Sequence, residues 1–125
     1  MRHYKSGNGS TPSLLYFEPK SGETFVCGEA VTLSSGYLTK CGATTKPQYI
    51  VQGDKPVRGC LPVIAVSSED TYLAQLSAAG TSLKAGAKVT LASDGVDVTA
   101  TTTDGVAEIV AIHGTKIGDS VEVKF

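Results

Sequence analysis

Short runs of alternating apolar and polar residues, separated by glycine-containing turns, make up most of the chain from residue 23 onward. In the run "AVTL", Val31 and Leu33 lie on one face of an extended strand, because successive side chains point to opposite sides. The run "CLPVIAVS" is apolar on both faces, which predicts a central and well-buried strand over 60–67. Turn signals recur about every ten residues, a spacing typical of all-β domains. The pattern therefore predicts an all-β fold, either a small β-barrel or a β-sandwich.

One segment, "SSEDTYLAQLSAAG" at 67–80, leaves two interpretations open. A serine followed by acidic residues, with a glycine at the far end, is typical of a short capped helix. The alternation of Tyr72, Ala74 and Leu76 against more polar neighbours instead fits a strand. We favour the strand and keep one short helix as the alternative.

A short phrase occurs twice in the chain. The form Gly-x-x-Val-Thr-Leu-x-Ser begins at Gly28 and again 58 positions later at Gly86, and Ile50-Val51 has a counterpart in Ile109-Val110. A glycine at the start of each phrase can adopt a positive φ and turn the chain tightly into a strand. The repetition predicts that each half contains a similar strand–turn–strand–loop–strand unit.

The first twenty residues differ from the rest. Gly7, Gly9 and Pro12 lie in a serine- and threonine-containing stretch that favours flexibility, and a short apolar run closed by Pro19 follows. We therefore expect a flexible N-terminal arm over 1–20 and a single β-rich domain over 21–125, with an ordinary first strand as the alternative to the arm. Extended arms bind by adding a strand to a neighbouring sheet. The side chains expected to make such contacts are Tyr4, Leu14, Leu15, Tyr16 and Phe17.

Composition narrows the classes of partner and cofactor. The formal net charge of the 125 residues is -1, which argues against a nucleic-acid partner held by bulk electrostatics. No apolar run is long enough to span a membrane, and no apolar stretch of a secretory signal follows the basic start. The spacing of Cys27, Cys41 and Cys60 does not suit zinc, so we expect no metal or cofactor and three half-buried, reduced thiols.

Catalytic chemistry has little support in the sequence. A nucleophile needs a base within hydrogen-bond reach, and the candidate bases are His3 in the expected arm and His113 in the turn "AIHGTKIGD". We interpret His113 as an exposed turn residue. The carboxylates fall mostly in turns or on outward strand positions, where solvated side chains are usual. The sequence therefore predicts a protein that is not an enzyme.

The C-terminal third carries a resemblance. The segment "SLKAGAKVTLASDGVDVTATTTDGVAEIVAIHGTKIGDSVEVKF" resembles the C-terminal part of tailed-phage capsid decoration, or head-stabilising, proteins. The resemblance implies a β-rich body on the outside of an icosahedral head, commonly a homotrimer at local threefold positions. It also implies an arm that contacts the major capsid protein, no DNA contact, and residence in the bacterial cytoplasm during assembly. The chain lacks the proline-rich middle and the tryptophan of the lambdoid decoration protein.

A second resemblance supports a different class of function. The run "VTATTTDGVAEI" is similar to the bacterial Ig-like repeats of surface adhesins, in which such a turn joins two strands. It implies an Ig-like β-sandwich that acts as a binding or adhesion module. This module is the alternative to the virion role.

Overall fold

The computed structural model describes all 125 residues, which form ten strands in two antiparallel sheets and no helix. The first sheet has the strand order β2-β6-β5-β3-β4, and the second has the order β1-β7-β10-β9-β8. The strands are β1 Arg2–Lys5, β2 Leu15–Phe17, β3 Ala30–Ser34, β4 Tyr37–Lys40, β5 Tyr49–Val51, β6 Leu61–Ala65, β7 Thr71–Gln75, β8 Lys88–Val89, β9 Ala107–Ile112 and β10 Ser120–Lys124. The all-β, sandwich-like architecture predicted from the alternation pattern is confirmed.

The ambiguous segment at 67–80 forms the strand β7 and no helix. Tyr72, Ala74 and Leu76 are all buried, as period-two alternation requires for a strand with one face in the core. The strand lies between β1 and β10, so its backbone is paired on both sides. The expected central strand is also confirmed, since β6 lies between β2 and β5 and has buried side chains on both faces, Leu61 and Val63 on one and Ile64 on the other.

The two halves of the chain repeat the same pattern of backbone hydrogen bonds. The N–H of Gly28 donates to the carbonyl of Val51 at 2.7 Å, and the N–H of Gly86 donates to the carbonyl of Ile109 at 2.8 Å. The strands follow the same order in both sheets, with β7, β10, β9 and β8 in the places of β2, β6, β5 and β3. The predicted repeat is therefore confirmed, with one correction: Ile109 corresponds to Val51 and not to Ile50.

In each half, the chain at the end of one strand, β2 in the first half and β7 in the second, hydrogen-bonds to the opposite edge of its own sheet. The N–H of Leu38 in β4 donates to the carbonyl of Glu18, directly after β2, at 2.9 Å. The equivalent N–H of Val98 donates to the carbonyl of Gln75, the last residue of β7, at 3.0 Å. Since the first strand also pairs at the other edge, each sheet must curl around its inner face.

Each curled sheet encloses its own set of apolar side chains. In the first half these are Phe25, Val31, Leu38, Val51, Leu61 and Val63. Their counterparts in the second half are Leu83, Val89, Val98, Ile109, Val121 and Val123. The second cluster also includes residues from the first half, among them Ala30, Ile50 and Ile64, because the first sheet is apolar on both faces. The two halves therefore pack against each other through the second cluster, while the first half keeps a smaller cluster of its own.

Two stretches of the first twenty residues form strands of the two sheets and are joined by a loop, which corrects the expectation of a flexible arm over 1–20. The strand β1 pairs with β7 in the second sheet, and β2 pairs with β6 in the first. Met1 is 7% exposed, and its amino group donates to the carbonyls of Gly28 and Val96 at 2.7 and 3.0 Å. Burial lowers the pKa of this amino group. The glycine- and serine-rich stretch is the loop that joins two edge strands of different sheets.

The two repeated glycines offer a matched test of the fold. Gly28 and Gly86 have φ values of 89° and 93°, so alanine is strained at both positions. A Cβ on Gly28 would also lie 2.9 Å from the carbonyl oxygen of Met1, whereas nothing lies within 4 Å of one on Gly86. We expect Gly86→Ala to cost about 1–2 kcal/mol from the backbone conformation alone, and Gly28→Ala to cost more. Urea unfolding of both variants measures the difference, and equal losses would contradict the close approach of Met1.

A truncation tests whether the first two strands belong to the folded body. Deleting 1–17 removes β1 and β2, uncovers Tyr72 and leaves one long edge of each sheet without its partner. We expect the truncated chain to lose cooperative thermal unfolding, followed by circular dichroism. Tyr4→Ala is the control, since Tyr4 is 42% exposed and its loss leaves the pairing intact. A truncated chain that unfolds at the temperature of the full chain would restore the flexible-arm interpretation.

Candidate functional site: the open edge of the first sheet

The strand β2 has a partner on one side only. It pairs with β6, and on its other side the only backbone contact comes after the strand, where Leu38 of β4 bonds to Glu18 and Lys20. Three apolar side chains at this edge are exposed, with exposed fractions of 52% for Leu14, 40% for Leu15 and 50% for Tyr16. We call these three residues the β2 edge. Edge strands usually carry charges or other devices that prevent pairing with another chain, and the β2 edge carries no charged residue.

The backbone at the β2 edge also has free hydrogen-bonding groups. Tyr16 lies opposite Pro62, which has no N–H and whose carbonyl accepts a bond from the N–H of Gln52 at 2.8 Å. The bonds between antiparallel strands alternate along the chain, so Leu15 and Phe17 bond to β6. The N–H and carbonyl of Tyr16 therefore point away from β6, toward solvent. The edge therefore presents one free backbone donor and one free backbone acceptor, both from Tyr16.

The structure separates the five side chains that the sequence grouped as a contact surface. Tyr4 lies in β1, in the other sheet, and is 42% exposed. The ring of Phe17 packs against that of Tyr49 with centroids 5.0 Å apart and joins the core of the first half. Leu14, Leu15 and Tyr16 are exposed at the same edge, with the side chains of Leu15 and Tyr16 on opposite faces of the strand. Their role in binding a partner stays a prediction.

A histidine, a serine and an aspartate meet beside β1, a grouping that sequence analysis missed because it placed His3 in a mobile arm. The Nε2 atom of His3 lies 3.1 Å from Ser6 Oγ and 3.5 Å from Asp70 Oδ2. A nucleophile-activating triad needs the serine and the carboxylate on opposite ring nitrogens, and here both face the same nitrogen. Asp70 also accepts a bond from the N–H of Gly7 at 3.2 Å. This cluster fastens the loop after β1 to the start of β7.

A second buried carboxylate lies on β10. Glu122 is 5% exposed and accepts bonds from His113 Nε2 at 2.7 Å and from Lys5 Nζ at 3.2 Å. The hydrogen bond from His113, together with Lys5, holds the pKa of Glu122 below its ordinary value of 4.5, although burial acts in the opposite direction. His113 is exposed in a turn, as predicted. Its contact with Glu122 was not foreseen because Lys5 in β1 and His113 in the turn after β9 approach that carboxylate from distant parts of the chain.

The three cysteines are free, with Cys27 exposed, Cys41 buried and Cys60 half-buried. Burial raises the pKa of the Cys41 thiol to about 11, so it is protonated at neutral pH. No three side chains of His, Cys, Asp or Glu lie close enough together to hold a metal ion. The structure contains no helix that is long and apolar enough to cross a membrane.

Comparison with known proteins adds no relative to this picture. No protein-family model matches the chain, and no curated protein matches it.

The buried carboxylate gives a pH-dependent test. The pKa of Glu122 is lower in the folded than in the unfolded chain, so its ionised form stabilises the fold above about pH 4.5, and this contribution is lost as the pH falls through the folded-state pKa. We expect Glu122→Gln to lower the unfolding temperature at pH 7, and the difference from wild type to shrink below pH 4.5. Thermal unfolding followed across pH measures both.

A surface carboxylate provides the control for that test. Glu108 forms an ion pair with Lys124 at 3.1 Å, and the Glu108 side chain is 32% exposed. Exposed pairs contribute little, so Glu108→Gln should change the unfolding temperature only slightly at any pH. A difference between Glu122→Gln and wild type that stays constant into acid would show that ionisation of Glu122 does not stabilise the fold.

Proposed function

We propose that this protein is a structural component of a phage virion that binds the outside of an icosahedral head and stabilises the capsid shell. The resemblance of the C-terminal third to capsid decoration proteins supports the class of function. The observation that carries the proposal in the structure is the β2 edge, where the strand has no partner on its outer side and three apolar side chains are exposed. Exposed apolar side chains beside free backbone groups are typical of surfaces that a partner covers.

The partner in this proposal is the major capsid protein, and the contact surface is the β2 edge instead of a flexible arm. A homotrimer on the capsid, as the resemblance implies, remains part of the proposal. A net charge of -1 supports a role that does not involve nucleic acid. The role is non-enzymatic, located on the capsid exterior and in the bacterial cytoplasm during assembly.

The topology favours this role over the Ig-like binding module. In an immunoglobulin sandwich, strands that follow one another in the chain are distributed between the two sheets. Here each half of the chain builds its own sheet, and only β1 joins the sheet of the other half. The resemblance of "VTATTTDGVAEI" to adhesin repeats therefore does not extend to the strand order.

The proposal predicts that a major capsid protein is encoded near this chain in its genome, and shells of that protein provide the test. We expect the protein to co-sediment with those shells and to raise the temperature at which they disrupt. Leu15→Lys places a charge on the β2 edge, and we expect it to weaken binding at least about tenfold, equivalent to about 1.4 kcal/mol. Circular dichroism of the variant confirms that it is folded.

A matched surface variant separates a specific contact from general loss of apolar surface. Ile117 is 70% exposed and lies in the turn before β10, away from the β2 edge in sequence. Ile117→Lys should bind shells as wild type does. Absence of any co-sedimentation by the wild type would overturn the virion role, and equal binding by Leu15→Lys would move the contact to another surface.

A further inference from the structure

The internal repeat shows what occupies the edge of the second sheet that corresponds to the β2 edge. Tyr16 faces Pro62 across β2 and β6, and in the same way Leu73 faces Glu122 across β7 and β10. The outer side of β7 is not open, because β1 lies along it with Arg2 opposite Leu73. The chain thus contains the same edge twice: a filled copy, β7 covered by β1, and an unfilled copy, the β2 edge.

The direction of the backbone groups agrees with this equivalence. Leu76 donates its N–H to the carbonyl of Asp119 and accepts a bond from the N–H of Gly118, so its backbone groups point toward the β10 side. Since these directions alternate along a strand, the backbone groups of Leu73 point to the other side, where β1 lies. The outward groups of Tyr16 have the same orientation and no strand to meet them.

The side chains show the same difference between the two copies. Tyr72, the counterpart of Leu15, is fully buried. His3 of β1 meets the Tyr72 ring edge-on with centroids 5.8 Å apart, and Phe125 packs against it at 5.8 Å. Leu15 is 40% exposed in the equivalent place. The filled copy has the added strand β1, and the unfilled copy has no equivalent strand.

The surface beside Leu15 has room for a side chain of such a strand. Leu15 also lines an open cleft of about 300 Å³, whose other walls are mostly polar and include Ser13, Ser67 and Asp70. The strand β1 presents His3 to Tyr72 in the filled copy, so an added strand would present its own apolar or aromatic side chain to Leu15, and the polar cleft leaves room beside it.

We propose that the β2 edge binds an extended segment of a partner protein as an added antiparallel strand. The residue opposite Tyr16 exchanges both backbone hydrogen bonds with it, and the next residue places an apolar or aromatic side chain over Leu15. A second copy of this chain is the weaker occupant. The strand that fills the equivalent edge, β1, is a single extended segment with no further strand on its outer side, whereas two β2 edges meeting about a twofold axis would join two whole sheets.

This inference rests on the internal repeat and not on the proposed virion role, so the two fail separately. The first experiment compares two backbone amides in the free protein by hydrogen exchange and NMR. We expect the amide of Leu73, covered by β1, to exchange at least about tenfold more slowly than that of Tyr16, which is open. Equal protection of both amides in dilute protein would overturn the equivalence of the two edges.

The second experiment supplies the missing strand. The probe is a library of random eight-residue peptides, screened against the full chain, with the binders examined by amide exchange and chemical-shift mapping. We expect selected peptides to carry apolar or aromatic residues at alternate positions, to protect the Tyr16 amide, and to shift the signals of Leu14 and Leu15. Peptides that bind only elsewhere, or a library that yields no binder, would overturn the proposal.

Variants identify the edge as the binding site. Tyr16→Pro removes the outward N–H while leaving the pairing with β6, since proline is tolerated on edge strands where the N–H faces solvent. We expect at least about a tenfold loss of peptide affinity, and no loss for Ile117→Lys. If Tyr16→Pro fails to fold, Leu15→Lys serves in its place. Protection of Tyr16 that grows with protein concentration without peptide, together with a doubling of mass, would overturn the partner-segment proposal in favour of a second copy.

Discussion

One constraint shapes both halves of this protein: the chain after the first strand hydrogen-bonds to the far edge of its own sheet. In the first half Leu38 donates its N–H to the chain after β2, and in the second half Val98 donates its N–H to the end of β7. Both residues are fully buried. A single backbone bond contributes only about 1 kcal/mol, so the crossing matters for geometry more than for energy. It curls each sheet around its apolar face and leaves the outer side of the first strand turned away from the core.

The two halves of the chain differ at one position of the repeated phrase, where only the first half has a buried charge. Glu29 is buried in the first half and pairs with Lys40 at 2.7 Å, and Lys40 lies over the ring of Phe25 at 4.6 Å. The counterpart of Glu29 in the repeated phrase is Ala87, which has no charge to satisfy. A buried carboxylate must be paired to be tolerated, so the first half needs Lys40 where the second half needs no partner.

The same divergence creates the candidate site. In the second half, β1 covers the outer side of β7, and Tyr72 beneath it is fully buried. In the first half nothing covers β2, and Leu15 and Tyr16 remain exposed. The fold therefore has two equivalent strand edges, on β2 and on β7, and this chain pairs a further strand only with the edge on β7. The proposed binding role rests on that asymmetry, since an uncharged edge with free backbone groups can pair with an added strand.

The sequence by itself determined the local features: the alternation that makes β6 and β7 strands, the glycine turns at Gly28 and Gly86, and the repetition between the halves. These depend on the period of the side chains and on the φ preferences of single residues, which neighbours along the chain decide. Only the tertiary structure decided that 1–20 supply edge strands to two different sheets and that Lys5 and His113 converge on Glu122. An alternation pattern states which face of a strand is buried, but not which distant strand pairs with it, because that choice rests on long-range packing of the whole chain.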